Sequence, residues 1–338
     1  MSKAVFFCVG TGGHVLPVLN IVKTISKEGI NKSDILIVTD KRGEQYFSDS
    51  SLEIITYPFA SSKKGKFGYF LKMFKIAISV LVIFKRLRKL NIHFIFTTGA
   101  YIAPVAAVLS VMLRTKFYIQ EQNIYAGLGN KVSAFLANSV FTSFPDTGNI
   151  SQKKIDFSGP VLNLDVEKIR SNGNHNLTIG FQGGSQGSKE INDLAIKFAN
   201  DPIYKKIDII HIVGKSHNTR IINRVNYVSH GFVNNMNNYY RSIDIQVSRA
   251  GGGTLEAAFL NIPQLLVPYK HGTTSQHQLL NAQYLEKKGA AKIISSYDEL
   301  KTMLNAYLDH DLSNLEFNIK AGNDHIGKVL INEVNKTI

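Results

Sequence analysis

Polarity along this chain changes in a repeating order: a short β-branched or aromatic run, a glycine-rich or polar turn, then a stretch whose apolar residues recur at helical spacing. The first pattern is that of a strand buried on both faces, and the last is that of an amphipathic helix. Ala4–Val9 reads as a strand and Val15 to about Lys27 as the helix after it. The alternation continues with strands at Ile35–Thr39, Glu53–Tyr57, Phe94–Thr97, Lys116–Ile119 and Val140–Phe144. Helical patterns separate them near Glu44, up to Leu90, over Ile102–Leu113 and over Leu128–Ala137. The stretch Asp146–Asn176 is rich in Ser, Asn, Gly and Pro and reads as a connection between domains. A second series then places strands at Leu177–Phe181, Ile207–Val213, Ser229–Val233, Ile243–Val247, Gln264–Val267 and Ala291–Ile294. The expected fold is α/β, two Rossmann-like doubly wound parallel-sheet domains facing a cleft, where such folds bind ligands. The expected domains are 1–160 and 161–321, with a terminal helix of about 322–338 that can return to the first.

A length of 338 residues suits two such domains, each with its own core. Hydrophobic residues at 44% and charged residues at 19% are ordinary for a globular chain, but the net charge of +14 points to an anionic partner. The single cysteine, Cys8, lies in an apolar run, which excludes an internal disulfide and fits a reducing, cytoplasmic compartment. The N-terminal apolar run is too short for a signal peptide, and Lys72, Lys75 and Lys85 interrupt the longest candidate for a membrane span.

Three glycine-rich turns follow strands and open helices, the arrangement that aims unpaired backbone N–H groups at a phosphate. The fullest is Gly251-Gly252-Gly253 before Thr254 and Glu256, where a carboxylate just inside a helix suits a ribose diol. Gln276, His277, Gln278 and Asn281 on the next helix offer groups that bind hydroxyls. The second turn, Gly183-Gly184-Ser185-Gln186-Gly187, reads equally as a binding loop with Ser185 as N-cap and phosphate ligand, or as a tight strand-to-helix turn. In the third, Gly10-Thr11-Gly12-Gly13-His14, Val15 stands where a dinucleotide fingerprint wants glycine. Asp40 at the next strand end is more in keeping with an exposed loop aspartate than with a ribose ligand. His14 is open to two readings, a general base or a loop histidine at a helix start. Gln120, Glu121, Gln122 and Asn123 crowd polar side chains at one strand end, beyond what turn chemistry needs, and mark a site.

Between Ser61 and Lys89 lie nine Lys or Arg residues and no Asp or Glu. Lys72, Lys75, Ser79, Arg86 and Lys89 fall on one helical stripe, and Phe70, Phe74, Leu81 and Phe84 contribute to a broad apolar remainder. An apolar helix with basic flanks suits an anionic membrane surface, while a buried scaffold helix with solvated lysines is the alternative. Nucleic acid is the weaker candidate partner, since no nucleic-acid module is recognisable.

Taken together, GTGGHVLP at Gly10–Pro17, GAYIAPVA at Gly99–Ala106, EQN at Glu121–Asn123, AGLGNK, GGSQGS at Gly183–Ser188 and SRAGGGT through LLNAQYLEKKGAAKII resemble the MurG family. These motifs run in the family's order over nearly the whole chain. The resemblance implies a family 28 glycosyltransferase of GT-B fold, a membrane-associated N-acetylglucosaminyltransferase that completes lipid II. It implies that the second domain grips UDP-GlcNAc and that the first receives the undecaprenyl-linked lipid I acceptor. Carried over by position, Gly12, Gly13 and His14 lie where acceptor pyrophosphate and catalytic region meet, Thr11, Gly12 and Gly13 count also among the donor-binding residues, and Asn123 matches an asparagine that touches the donor. Ser185, Gln186 and Gly187 match the loop at the nucleotide diphosphate. Gly252, Gly253, Thr254 and Glu256 match the diphosphate and ribose ligands, and Gln278 and Asn281 the sugar-hydroxyl ligands. The chain departs from the family at four points. Thr254-Leu255-Glu256 is one residue shorter than the usual T-x-x-E, and Leu162 replaces an arginine thought to face the donor phosphates. His277 replaces the first of two glutamines, and Gln120 replaces a histidine.

The expected reaction is an inverting transfer of GlcNAc to the C4 hydroxyl of lipid-linked MurNAc-pentapeptide, with His14 as first choice of base and Glu121 as second. No metal or cofactor is expected, as no Asp-x-Asp motif precedes a suitable strand end. The expected location is peripheral, on the cytoplasmic face of the inner membrane. The rivals are a UDP-GlcNAc 2-epimerase, a transferase to another polyprenyl-linked glycan, and a non-catalytic UDP-sugar-binding protein.

Overall fold

The computed structural model describes residues 2–10, 12–57, 78–162, 176–217, 222–233, 235–269, 275–309 and 315–336. The chain divides into two compact units, Met1–Asn163 with Ala321–Ile338, and Leu164–Lys320.

The first unit is built on strands β1 (Ser2–Phe7), β2 (Ile35–Thr39), β3 (Glu53–Thr56), β4 (Asn91–Thr97), β5 (Lys116–Glu121), β6 (Ser139–Thr142) and β7 (Ile155–Phe157). They form one parallel sheet in the order β3-β2-β1-β4-β5-β6-β7. Helices α1 (Gly12–Lys27), α2 (Lys41–Glu44), α3 (residues 78–87), α4 (Ala103–Leu113) and α5 (Leu128–Ser133) connect the strands. Both faces of β1 are covered, which is why its sequence reads as an unbroken apolar run rather than an alternation. On one face Phe6, Phe94, Phe96 and Phe141 meet Val18, Ile21 and Ile25 of α1; on the other Val5, Phe7 and Ile95 meet Val105 and Leu109 of α4.

The second unit repeats the plan. Strands β8 (Thr178–Gln182), β9 (Asp208–Ile212), β10 (Tyr227–His230), β11 (Ile245–Ser248), β12 (Gln264–Leu266) and β13 (Ala291–Ile293) lie parallel in the order β10-β9-β8-β11-β12-β13. Its helices are α6 (Lys189–Asn200), α7 (Met236–Arg241), α8 (Gly252–Phe259), α9 (Ser275–Lys287) and α10 (Tyr297–Leu308). The last helix, α11 (Asn323–Asn335), belongs to the first unit, where Ile326 and Leu330 join the α1-side core. In each sheet the order reverses beside the first strand, at β1 and β4 and at β8 and β11. Loops splay apart at such a point, and the glycine turns after β1, β8 and β11 all sit there.

Three sequence expectations need correction. The stretch Asp146–Asn176 is not all connection, because β7 lies within it and pairs with β6. As a short edge strand with no fully buried residue, β7 carries no apolar run to betray it. The strand expected at Ser229–Val233 is β10, two residues earlier and also at an edge, where alternate residues are exposed and hydrophobic pattern is a poor guide to register. On α3 the supposed basic stripe is broken, since Ser79 is buried while Arg86 is exposed and pairs with Glu53.

Candidate active site

In the first unit the site grows from the turn after β1. Gly10 has φ +88°, a left-handed conformation that favours glycine. Its N–H donates to Asp40 Oδ1 at 2.9 Å, and the Gly12 N–H donates to the Tyr46 hydroxyl at 3.1 Å. Two of the loop's amides thus serve the fold, and the capacity to hold an anion passes to the first turn of α1. Asp40 is no exposed loop residue, being only 5% accessible. It caps α2 through Gly43 N and accepts from the Tyr101 hydroxyl at 2.9 Å and from Arg42. Burial raises its pKa, but the Gly10 and Gly43 N–H groups, Tyr101 and Arg42 outweigh that and hold the carboxyl below the usual range.

His14 stands half-buried on the first turn of α1, its Nδ1 2.9 Å from the Thr98 carbonyl oxygen. A carbonyl can only accept, so Nδ1 carries the proton and Nε2 is the basic nitrogen of the neutral ring. Thr98 Oγ1 donates back to the His14 carbonyl at 2.6 Å, and Gln122 Nε2 donates to the Gly13 carbonyl, so the loops after β4 and β5 hold the histidine's turn from both sides.

Glu121, at the end of β5, is buried and fully engaged. Oε1 accepts from Asn123 N at 2.9 Å and Asn123 Nδ2 at 3.0 Å; Oε2 accepts from Gly127 N at 3.2 Å and Asn130 Nδ2 at 2.8 Å. Four donors on one carboxylate make it the organiser of the 121–130 loop. Gly99, at φ +102°, is needed beside it, because a Cβ there would stand 2.8 Å from the Asn130 side chain.

In the second unit the turn after β8 rests on the loop after β9. Lys215 N donates to Ser185 O at 3.1 Å and Ser216 N to Gln186 O at 3.2 Å. Gly187 has φ +84°, and a Cβ on it would lie 2.1 Å from the Val213 carbonyl oxygen. The N-cap of α6 is Ser188 and not Ser185: its hydroxyl accepts from Ile191 N, three residues on, while Ser185 remains in the turn before the helix.

At the start of α8, Thr254 is buried, its hydroxyl donating to Gly251 O at 2.6 Å. Glu256 Oε2 accepts from the Tyr240 hydroxyl at 2.9 Å. Burial first, and the Glu256 charge next, push the pKa of that hydroxyl far above its ordinary value. Residues two apart on a helix point about 200° away from each other, so the shortened Thr-x-Glu spacing separates two groups that the resemblance assigned to one ligand. Gln278 Oε1 accepts from Tyr269 N at 2.9 Å, and buried Asn281 donates to Ala250 O at 3.4 Å. Leu162 is buried, and its backbone is bonded both ways to the side chain of Asn323, so no cation stands there.

Arg249 is a residue that sequence reasoning missed. Its guanidinium bonds Ser188 Oγ at 3.1 Å, Val267 O at 2.9 Å and Glu190 at 2.8 Å, joining the turns after β8 and β12 behind the glycines. Its signal in the sequence was a lone arginine between small residues directly after a buried strand. An open depression of about 960 Å³ runs past Gly183, Gly187, Ser188, Arg249, Tyr269 and Gln278. Thr11, Phe70, Lys72, Phe74 and Lys75 lie outside the described residues. Of the other residues expected at a membrane, Leu81 is exposed, whereas Phe84 is partly buried against the α4-side core. Among the described residues no group of three or more His, Cys, Asp or Glu is placed to hold a metal ion.

Comparison with known proteins bears on what the residues of each unit do. The glycosyltransferase family 28 N-terminal domain matches residues 4–142, and the family's C-terminal domain matches residues 178–330. A UDP-N-acetylglucosamine--N-acetylmuramyl-(pentapeptide) pyrophosphoryl-undecaprenol N-acetylglucosamine transferase of Thermosipho africanus is 30% identical over 297 residues, 84% of each chain. The crystal structure of Acinetobacter baumannii MurG superposes with a TM-score of 0.74 at 21% identity, over 98% of this chain and 99% of that one. A putative UDP-N-acetylglucosamine 2-epimerase from Listeria monocytogenes shares the fold at TM-score 0.70 but only 11% identity, over 99% and 96%. Two parallel Rossmann-like units of the GT-B plan, both family domains and this level of identity agree, and the chain belongs to glycosyltransferase family 28, within it to the MurG family of N-acetylglucosaminyltransferases.

Proposed function

We propose that this enzyme moves GlcNAc from UDP-GlcNAc to the C4 hydroxyl of undecaprenyl-pyrophosphoryl-MurNAc-pentapeptide, converting lipid I to lipid II in peptidoglycan synthesis. The observation that carries the reading is 30% identity over 84% of the chain to a protein named for that transfer. The acceptor oxygen attacks the anomeric carbon opposite the leaving group; the bond from that carbon to the β-phosphate oxygen breaks, inverting the centre. His14 Nε2 takes the hydroxyl proton, and UDP departs with the bonding pair. Charge growing on the β-phosphate is met by backbone N–H groups at the starts of α8 and α6, dipoles already in place before the reaction. Glu121 acts as a positioning residue and not as the base, because its carboxylate oxygens are engaged by four N–H donors. No step calls on a metal ion, and chelation with EDTA is expected to leave the rate unchanged.

The test is purified protein with radiolabelled UDP-GlcNAc and lipid I in detergent. Label should enter the organic phase only when acceptor is present. Free ManNAc formed without acceptor would mark an epimerase, and binding of UDP-GlcNAc with no turnover would mark a sensor; either result overturns the transfer.

The proposed location is the cytoplasmic face of the cell membrane, on an anionic lipid surface. No helix among the described residues is long and apolar enough to cross a bilayer. What supports surface contact is exposed apolar side chains on the first unit, with Leu81 at 55%, Leu128 at 75%, Val132 at 58% and Phe135 at 84% accessible. Exposed Lys131 stands among the last three, and exposed Lys85 and Lys89 follow Leu81 four and eight residues on. Phe135→Glu is expected to weaken binding to phosphatidylglycerol vesicles about tenfold, the loss of one interfacial aromatic plus an added like charge. Vesicle cosedimentation measures this; unchanged binding would show that the turn after α5 does not face lipid.

A further inference from the structure

Beneath the turn after β8 lies a buried chain of hydrogen bonds that the proposed reaction does not use directly. Asn192, on the second turn of α6, and His211, on β9, are 8% and 2% accessible. Asn192 Nδ2 lies 3.2 Å from the Val213 carbonyl oxygen, His211 Nε2 lies 2.9 Å from Asn192 Oδ1, and the Tyr227 hydroxyl lies 2.7 Å from His211 Nδ1.

Donor and acceptor roles follow from one end. The Val213 carbonyl can only accept, so the amide nitrogen of Asn192 faces it and the amide oxygen faces His211. That oxygen needs a donor, so His211 carries its proton on Nε2. Nδ1 then holds the lone pair and accepts from the Tyr227 hydroxyl. The bonds therefore run one way, from Tyr227 on the edge strand through His211 and Asn192 to Val213. Burial lowers the His211 pKa to about 4, which keeps the ring neutral, as this arrangement requires.

The terminus of the chain is what gives it a role. Val213 O is the atom against which Gly187 packs, and Gly214 packs on Gly187 so closely that a Cβ there would lie 2.1 Å from Gly187 N. The adjoining Lys215 and Ser216 N–H groups hold the carbonyls of Ser185 and Gln186. Asn192 also donates its own N–H to Ser188 O, so it is tied to both sides of the turn. A well-packed pair of apolar residues would fill the same core positions without desolvating an imidazole and an amide.

We infer that Tyr227, His211 and Asn192 form a positioning relay that fixes the Val213 carbonyl and through it the Gly183–Ser188 turn, setting the backbone N–H groups that receive the departing nucleotide diphosphate. This rests on the second unit being the donor half. The relay touches no substrate; it acts through the turn.

The test compares UDP affinity by calorimetry and steady-state kinetics with both substrates on the full-length protein. His211→Leu keeps the bulk but removes the donor, and is expected to raise the Kd for UDP and the KM for UDP-GlcNAc about tenfold, one buried hydrogen bond's worth, with the acceptor KM unchanged. His211→Gln, whose Nε2 can still donate to Asn192, should return the Kd to within about threefold of the original. Tyr227→Phe, at the half-exposed outer end, keeps the fold even if the leucine variant does not, and should raise the Kd about two- to threefold. A core-filling role alone predicts equal UDP affinity in the leucine and glutamine variants and none of the Tyr227→Phe effect; either result overturns the relay. If the original protein binds UDP and the folded variants bind it as well, only the relay falls. If the original protein binds no UDP, the donor-half reading falls and the relay with it.

Discussion

Replacing His14 with alanine is expected to lower kcat by about two to four orders of magnitude, the range for losing a positioned general base. The KM for UDP-GlcNAc should stay within about twofold, because the residues proposed to grip the nucleotide belong to the other unit. The size of the effect follows from how the ring is held. Thr98 O fixes the proton on Nδ1, and the Thr98 hydroxyl and Gln122 pin the backbone on which the ring is carried. Nε2 is therefore presented as an acceptor with no reorganisation needed at the moment of attack. His14→Asn should be as inactive as His14→Ala, since an amide cannot take the proton, even though its Nδ2 stands where Nδ1 stood and can keep the bond to Thr98. A folded His14→Ala protein retaining more than about one-tenth of the original kcat would remove the histidine from the chemistry. It would pass the base's part to Glu121 or to solvent, which the Glu121→Gln variant separates.

The sequence showed the two-sheet plan because both sheets have central strands covered on each face. Runs such as Ala4–Val9 and Ile35–Thr39 carry that burial openly. It failed at β7 and β10, which lie at sheet edges and have nothing comparable to bury. The glycine turns were legible for a similar reason, since Gly10 and Gly187 occupy positive φ in a way few other residues could. What the turns hold could not be read. Asp40, Arg249, Tyr240 and the Asn192–His211 pair reach their partners across the sheet, at sequence separations no local pattern spans. The polar crowd at Gln120–Asn123 reads in the sequence as a site, but its composition could not tell a carboxylate that reacts from one that organises. That distinction lies in counting the donors around Glu121, which only the folded loop supplies.

Glu121→Gln is expected to destabilise the first unit by about 3 kcal/mol, because the site is built for an acceptor on both sides. Each carboxylate oxygen faces two N–H groups, Asn123 N and Nδ2 on one and Gly127 N and Asn130 Nδ2 on the other. Whichever way a glutamine amide turns, its NH2 group confronts two donors in a buried place where water cannot intervene. The melting temperature should fall by roughly 6–12 °C for a unit of this size. Activity should fall with it as the 121–130 loop loosens beside His14, while the shape of the pH–rate profile stays that of the original enzyme. Asn130→Asp supplies the matching acceptor for the new NH2, and combined with Glu121→Gln it should recover about 1 kcal/mol. Recovery of stability by the second substitution would show that the 121–130 loop is held by donor–acceptor matching at Glu121, the part of an organising carboxylate. Conversely, a Glu121→Gln protein with an unchanged melting temperature and a collapsed kcat would make Glu121 the base and leave His14 the task of orienting the acceptor.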